Sequence, residues 1–478
     1  MRHCRGRQDA VVYSSPSRAS GRKGNTINPT DTLASFTSAL AFEDIPPPTR
    51  LRALQVLIDT LASSVIGRTG DELGKFENAA LAFGGEGPAT VIAAPQRLSL
   101  AGAVLLNGYQ VTAVNVCDVY RPAHCHMTPV VVPPALAVAE QHHLSGRELI
   151  TGLVAGLETA CRVGLAINFE AFRERGWHSP GVIGPFGGAA AVGRLLGLSA
   201  ADQLNALGLA GSQSAGTVAH WGTPTIKFHQ ARGSVSGLLA GLMAAEGLKA
   251  GDDVLADPSG GLLVNYSDGG DPGRLTDGLG ERWEFEQLTL KRWPSGSGVQ
   301  TTVTSLLTLI DEHDLQPGSI EQVRVFLPSH AFKLHGTIGW DGKFTAMLSA
   351  RFITSVVLHD RRCWVDQFEA DRREDPAVDA FARDRVEIIE DAALRSGATV
   401  TEVQMADGSL LRDARSYPKG DPEDPLSLEE ILDKFRDAAG GRLGPVDQLI
   451  DQLLSVEDLA DVAPLIGSLG TGSSLGRR

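Results

Sequence analysis

Residues 115–128 bring a carboxylate (Asp118), a guanidinium (Arg121), two imidazoles (His124, His126) and two thiols (Cys117, Cys125) into one short segment. Pro122 lies in its middle and argues against a continuous helix. The flanks, 98–113 and 130–139, are apolar. Polar groups set between buried helices must satisfy their own hydrogen bonds or serve chemistry. Three further stretches have the same mixed character. Gly176, Trp177 and His178 precede the glycine-rich run 181–188, where backbone amides at a helix start can receive a carboxylate. In 222–229, Lys227 and His229 alternate with Ile226 and Phe228, so an extended segment puts both polar groups on one side. A lysine that then enters the uncharged run 233–245 must be paired. Lys291 and Ser295 fall in 290–297, where the chain changes character, and such junctions favour pockets. Each stretch also has a plain structural explanation: a hydrogen-bonded turn, a histidine on a carbonyl, a lysine reaching the surface, or a solvated linker.

The elements that must position these groups are mostly helical. Apolar residues at helical spacing predict a helix containing Leu51, Leu54, Leu57, Ile58 and Leu61. Helices are also expected over 33–41, 99–114, 134–144 and 145–167, and from Leu198 onward. Thr30 or Asp31 is the expected first cap, and Ser145 with Glu148 reads as a capping box. Residues 89–94 read as a short strand. After Trp283 the pattern alternates over 321–327 and 398–405, and Asp407-Gly408 turns the chain into 409–416 as a hairpin. The fold class expected is mostly α with a smaller α+β domain. The divisions are an N-terminal extension at 1–29, a helical domain at 30–286, an α+β lid at 287–418, C-terminal helices packing on the first domain at 419–469, and a flexible tail at 470–478.

Composition narrows the function. The chain of 478 residues carries 43 Lys+Arg against 57 Asp+Glu, a net charge of −14, without a basic block that would favour nucleic acid. Its 5 cysteines form no CxxC pair, so neither a disulfide framework nor a structural zinc site is indicated. No apolar run reaches membrane-spanning length. The first thirty residues lack the apolar core of a secretory signal, and a cytoplasmic location is expected. The sequence contains no GxxxxGK[ST] and no HExxH, and no glycine pattern lies in a βαβ unit. His124 and His126 have no evident further metal ligands, so no metal or organic cofactor is expected.

Taken in order, these stretches resemble the MmgE/PrpD family, which includes 2-methylcitrate dehydratase, cis-aconitate decarboxylase and iminodisuccinate epimerase. The resemblance runs from Asn107-Gly108, Asp118 and His126 through Gly176–His178, Thr225–Lys227 and Lys291–Ser295 to Gly420–Pro425 and Lys434-Phe435. It implies a helical domain closed by an α+β lid, a homodimer, and a cofactor-free site between the two parts. Asp118, His126, His178, Lys227 and Lys291 match catalytic or substrate-contacting positions; Arg121, His124, Trp177, His229 and Ser295 are expected substrate neighbours. The acidic segment here reads Asp-Val-Tyr-Arg-Pro, Val356 stands where a lid tyrosine is usual, and Gln300 stands where a histidine is usual. These departures touch the expected pocket and leave the exact substrate open.

This set suits reaction at a carbon beside a carboxylate. Asp118 or a histidine would take the proton. Lys227 and Lys291 would hold carboxylates and the charge developing on an enolate-like oxygen. His126 or His178 would protonate a departing hydroxyl. The expected activity is a lyase that removes water from a small hydroxy di- or tricarboxylate such as 2-methylcitrate, a step of propionate metabolism. Epimerisation, decarboxylation or ligand binding without turnover are the alternatives.

Overall fold

A computed structural model describes residues 28–470. The extension and tail expected at the two ends therefore lie almost wholly outside the described residues. The helices that build the first part include α1 (Pro29–Ala39), α2 (Pro47–Ile66), α3 (Leu73–Gly84), α4 (Leu100–Thr112), α5 (Thr128–Gln141), α6 (Gly146–Ala166), α7 (Phe169–Glu174), α8 (Ser179–Leu195), α9 (Ala200–Gly211) and α10 (Thr225–Ala245). Asn28, rather than Thr30 or Asp31, caps α1: its side chain accepts from the amides of Thr30 and Asp31. The Ser145–Glu148 capping box opens α6 as its sequence requires. α6 is long and apolar enough to cross a membrane by length and composition, but 94% of that stretch is buried in the core. Its one internal ion pair, Glu158–Arg162 at 2.6 Å, is closed off by the carbonyls of Asp277 and Arg282.

α8 and α10 pack at the centre. They meet at glycines: a Cβ on Gly237 would stand 2.6 Å from the Cα of Gly188. Such helices approach more closely than any side chain allows. The strand expected over 89–94 forms earlier, as β1 (Glu86–Thr90) paired with β2 (Arg97–Leu98).

The second part is built on a four-stranded sheet. Its strands are β5 (Ile320–Leu327), β6 (Val386–Glu390), β7 (Thr399–Met405) and β8 (Leu410–Arg415), in the order β6-β5-β7-β8. β5 and β6 are parallel, and their crossover contains α12 (Ser329–His335), α13 (Ala350–Asp360) and α14 (Pro376–Asp384). α11 (Gln300–His313) precedes the sheet. β7 and β8 form the expected hairpin, with Gly408 at φ 91° in its turn. The molecule is thus mostly α with a small α+β part, as its sequence patterns indicate.

Among the contacts that join the parts, two bear on the polar segment. β3 (Val119–Tyr120) pairs with β4 (Leu288–Thr289), so the polar segment lies against the junction. α15 (Leu428–Ala439) returns to α2, where the ammonium of Lys434 sits 2.6 Å from Asp59 and donates to the carbonyls of Val116 and Lys291 at 2.8 and 2.9 Å. Both residues of this pair are fully buried.

Candidate active site

A cavity lies where α7, α8, α12 and the junction segments meet. Arg121, His124, His126, Arg173, His178, Trp221, Gln300, His330 and His335 are among the residues lining it. Four residues singled out in the sequence, Arg121, His124, His126 and His178, therefore share one space. Asp118, Lys227, Lys291, Trp177, His229 and Ser295 do not line it.

Asp118 is completely buried behind the wall. Its carboxylate accepts from the amides of Met127 (2.8 Å) and Thr128 (3.1 Å) and from the Thr128 hydroxyl (2.5 Å). It is an N-terminal anchor for α5, a favourable place for negative charge. This explains why α5 starts at Thr128, six residues before the expected start at 134, and contains Pro133 and Pro134 in its interior. Burial pushes the Asp118 carboxyl up, while His126 and the same three donors oppose the shift. His126 donates from Nδ1 to the Asp118 carbonyl, which leaves its Nε2 unprotonated. Cys117 Sγ lies 3.6 Å from the same Nδ1, and burial raises the thiol to about 11. Cys117, Asp118 and His126 bring their donor atoms within 4.8 Å of one another. With Nδ1 of His126 committed to a carbonyl and the Asp118 carboxylate committed to the start of α5, this trio is held together by hydrogen bonds of its own.

His124 is held differently. It terminates the turn Arg121–Ala123 with φ 41°, a left-handed conformation uncommon for a side chain of this size. Its ring stacks on Phe169 at 4.8 Å and meets His330 edge-on at 5.2 Å. Arg121 forms an ion pair with the buried Asp421 of the C-terminal segment. Across the cavity, His335 donates from Nδ1 to the Leu348 carbonyl at 2.9 Å. A Cβ on Gly296 or Gly298 would come within 2.4 or 2.7 Å of the His335 ring, so both must be glycine. Burial holds His124, His126 and His335 at about 4, so all three are neutral at pH 7.

The expected pairing of Lys227 with His229 fails for a simple reason. Helix α10 begins at Thr225, so the two residues project about 200° apart instead of side by side. His229 sits behind His178, its Nδ1 2.9 Å from that of His178. Lys227 turns toward a second cavity, which also includes Asp71, Glu72, Tyr109, Lys343 and Phe344. There it donates to the Ala113 carbonyl, and burial lowers it to about 7. Lys291 is buried beside Cys117, Asp118 and Lys434, with the Ser295 carbonyl 3.5 Å from Nζ. The Ser295 hydroxyl accepts from Gln300 at 2.6 Å. Trp177 packs on Tyr266, with ring centroids 4.7 Å apart.

Arg173, Trp221, His330 and His335 line the cavity although nothing in their sequence surroundings singled them out. His335 alone left a trace, in the Gly-Ser-Gly of 296–298 that makes room for its ring. Arg173 is half-buried and has no hydrogen-bond or ion-pair partner among the described residues. Trp221 Nε1 and Gln300 Oε1 are buried and unpartnered.

The helical part and the α+β part correspond to the two domains of the MmgE/PrpD proteins. The chain belongs to that family: residues 31–274 match the MmgE/PrpD N-terminal domain and 293–458 the C-terminal domain. It is 28% identical over 468 residues to a cis-aconitate decarboxylase of Aspergillus terreus, covering 91% of this chain and 95% of that one. A cis-aconitate decarboxylase-like protein of Aspergillus oryzae is also 28% identical, over 92% of this chain and 96% of its own. The human cis-aconitate decarboxylase is 24% identical, over 87% and 89%. Decarboxylases of this kind are lyases.

Proposed function

We propose that the protein is a lyase that removes CO2 from an unsaturated tricarboxylate of the cis-aconitate type, without a metal or organic cofactor. The observation that carries this reading is Arg173, which lies over the Phe169 ring but has no hydrogen-bond or ion-pair partner among the described residues, in a cavity whose histidines burial keeps neutral. A guanidinium so placed suits a substrate carboxylate. Arg121, shared with Asp421, supplies a second cation. The names of the relatives point to the same substrate class and move decarboxylation ahead of the dehydration expected from the sequence.

The chemistry follows from these groups. Breaking the bond to the departing carboxylate leaves an electron pair conjugated through the double bond with a neighbouring carboxylate. Cations on that carboxylate stabilise the charge as it develops. An imidazole then protonates the carbon. The cavity is walled on one side by α12 and on another by the loop at 396–397, and their closure on a bound substrate would exclude water.

Dehydration of a hydroxy acid is the second reading. Gln300 Oε1, an acceptor lacking a donor, favours it because a substrate hydroxyl would supply one. Incubating the protein with cis-aconitate, citrate and 2-methylcitrate separates the two. CO2 release from cis-aconitate supports the first. A rise in conjugated-alkene absorbance from a hydroxy acid, without CO2, replaces it with the second. Solvent deuterium entering a carbon with neither signal would indicate epimerisation. Thermal stabilisation without turnover would make the protein a binder.

A further inference from the structure

Decarboxylation consumes one proton per turnover, because the carboxylate leaves as CO2 and a hydrogen takes its place. A cavity closed to water needs a route for that proton. His178 lines the cavity and its Nδ1 lies 2.9 Å from Nδ1 of His229. His229 is buried, and its ring meets that of the exposed His220 edge-on at 5.7 Å between centroids. Three imidazoles thus lead from cavity to solvent.

The local fold holds this row in place. The amide of His178 donates to the Gly216 carbonyl at 3.0 Å. A Cβ on Gly216 would stand 3.1 Å from the His229 ring, and the residue has φ 136°, a conformation glycine tolerates. Trp177 pairs with Thr217 across the same loop. Glycine at 216 therefore lets the loop lie flat against one ring while its backbone fixes the other.

We infer that His229 is a positioning residue that relays protons between solvent and His178, with His220 as the outer member. This rests on the decarboxylase reading. A proton arriving through His220 bonds to Nε2 of His229. The proton on Nδ1 of His229 passes to Nδ1 of His178, and the one on Nε2 of His178 goes to the substrate carbon. Each ring gains one N–H bond and loses one, so no imidazolium remains. A relay that stores no charge suits the site. Burial holds His178 well below the usual histidine range and His229 at about 4. The groups facing His229 are His178 at the start of α8, His220 on the preceding turn, and Arg232 further along α10, which donates to the Gln213 carbonyl. Both His220 and Arg232 disfavour a resident positive charge.

The test uses the full chain and the variants H229Q and H220Q. H229Q keeps a polar side chain at the position but cannot pass a proton from one ring nitrogen to the other, and H220Q alters an exposed group. In weakly buffered solution with cis-aconitate, kcat of each is expected to fall about 10²-fold, with KM unchanged, and added imidazole should restore it. Wild-type rates for H229Q without imidazole would overturn the relay, as would a loss that imidazole does not restore. One arm does not depend on turnover. Long-range 1H–15N spectra of 15N-histidine protein at pH 7 should show a solvent-protected ring N–H shared by His178 and His229, absent from H229Q. If that signal is present and no tricarboxylate is decarboxylated, the function reading fails while the histidine contact stands. If the signal is absent, the relay fails whatever the substrate.

Discussion

The ammonium of Lys227 lies 4.2 Å from the centre of the Phe344 ring, so a lysine of the helical part is covered by an aromatic of the α+β part. Its other partner is the Ala113 carbonyl. Burial lowers Lys227 to about 7, whereas in the unfolded chain it returns to 10.5. Between these values the unfolded state holds the proton more tightly, so this lysine's contribution to stability rises with pH. Below pH 7 the full cost of burying the charge is present. Lys227→Met should therefore gain most in melting temperature relative to wild type near pH 6, and the gain should shrink toward pH 10. A constant difference across that range would show that the lysine does not titrate in this way.

Arg173 is expected to act in binding. Arg173→Gln removes a charge that has no hydrogen-bond or ion-pair partner among the described residues, so melting temperature should change little. A hydrogen bond to a charged group contributes about 1.5–3 kcal/mol, so KM for a tricarboxylate should rise about 10–10²-fold, with Arg173→Lys intermediate. An unchanged KM would place the substrate elsewhere.

The cavity should be sensitive to acid. His124, His126 and His335 titrate at about 4 in the folded protein against 6.5 when unfolded. Across that window the unfolded state binds more protons, so stability is lost as pH falls from about 6.5 toward 4. A bound polyanion raises these pKa values. Calorimetry of citrate binding near pH 6 in buffers of different ionisation enthalpy should therefore show proton uptake, with affinity increasing as pH falls. Proton release would contradict the cavity's electrostatics.

Breaking the pair between Lys434 and Asp59 should destabilise strongly. Lys434→Ala removes the counter-charge bonded to a buried carboxylate, leaving only the more distant Arg52 and Lys291, and such losses cost about 3–5 kcal/mol. Lys434→Met with Asp59→Leu should recover much of it. Urea denaturation measures both, and additive losses would disprove the coupling.

The homodimer expected from sequence has a candidate surface on α10, where Phe228 and Leu239 are 39% and 46% exposed. Leu239→Glu should shift the mass seen by light scattering from dimer to monomer. A monomeric wild type would rule the proposal out.

Much of the helical part was legible because its signals are local. Ser145 with Glu148, Ser199 and Ser427 cap the helices that follow them, and the Asp407-Gly408 hairpin needs only its own residues. The site was half legible. The segment 115–126 and His178 carry unusual residue types where the cavity forms. Asp118 looked like a base because its helix-anchoring role depends on Met127 and Thr128 folding back to it. Arg173 carries no local signal, because the residues that share its cavity, such as Gln300 and His330, come from distant segments. Lys227 and His229 were misread through one local choice, a helix beginning at Thr225 rather than an extended approach to it.

The contact between Lys434 and Asp59 spans 375 residues of chain. During synthesis at about 5–20 residues per second, Asp59 waits roughly 20–75 s for the lysine that neutralises it. Through that interval the nascent helical part carries a carboxylate without its hydrogen-bonded cation where α15 will dock. The first part can collapse early, but its core closes only when α15 leaves the ribosome. A truncation before residue 428 should accumulate as a chaperone-bound or protease-sensitive species rather than a free folded domain.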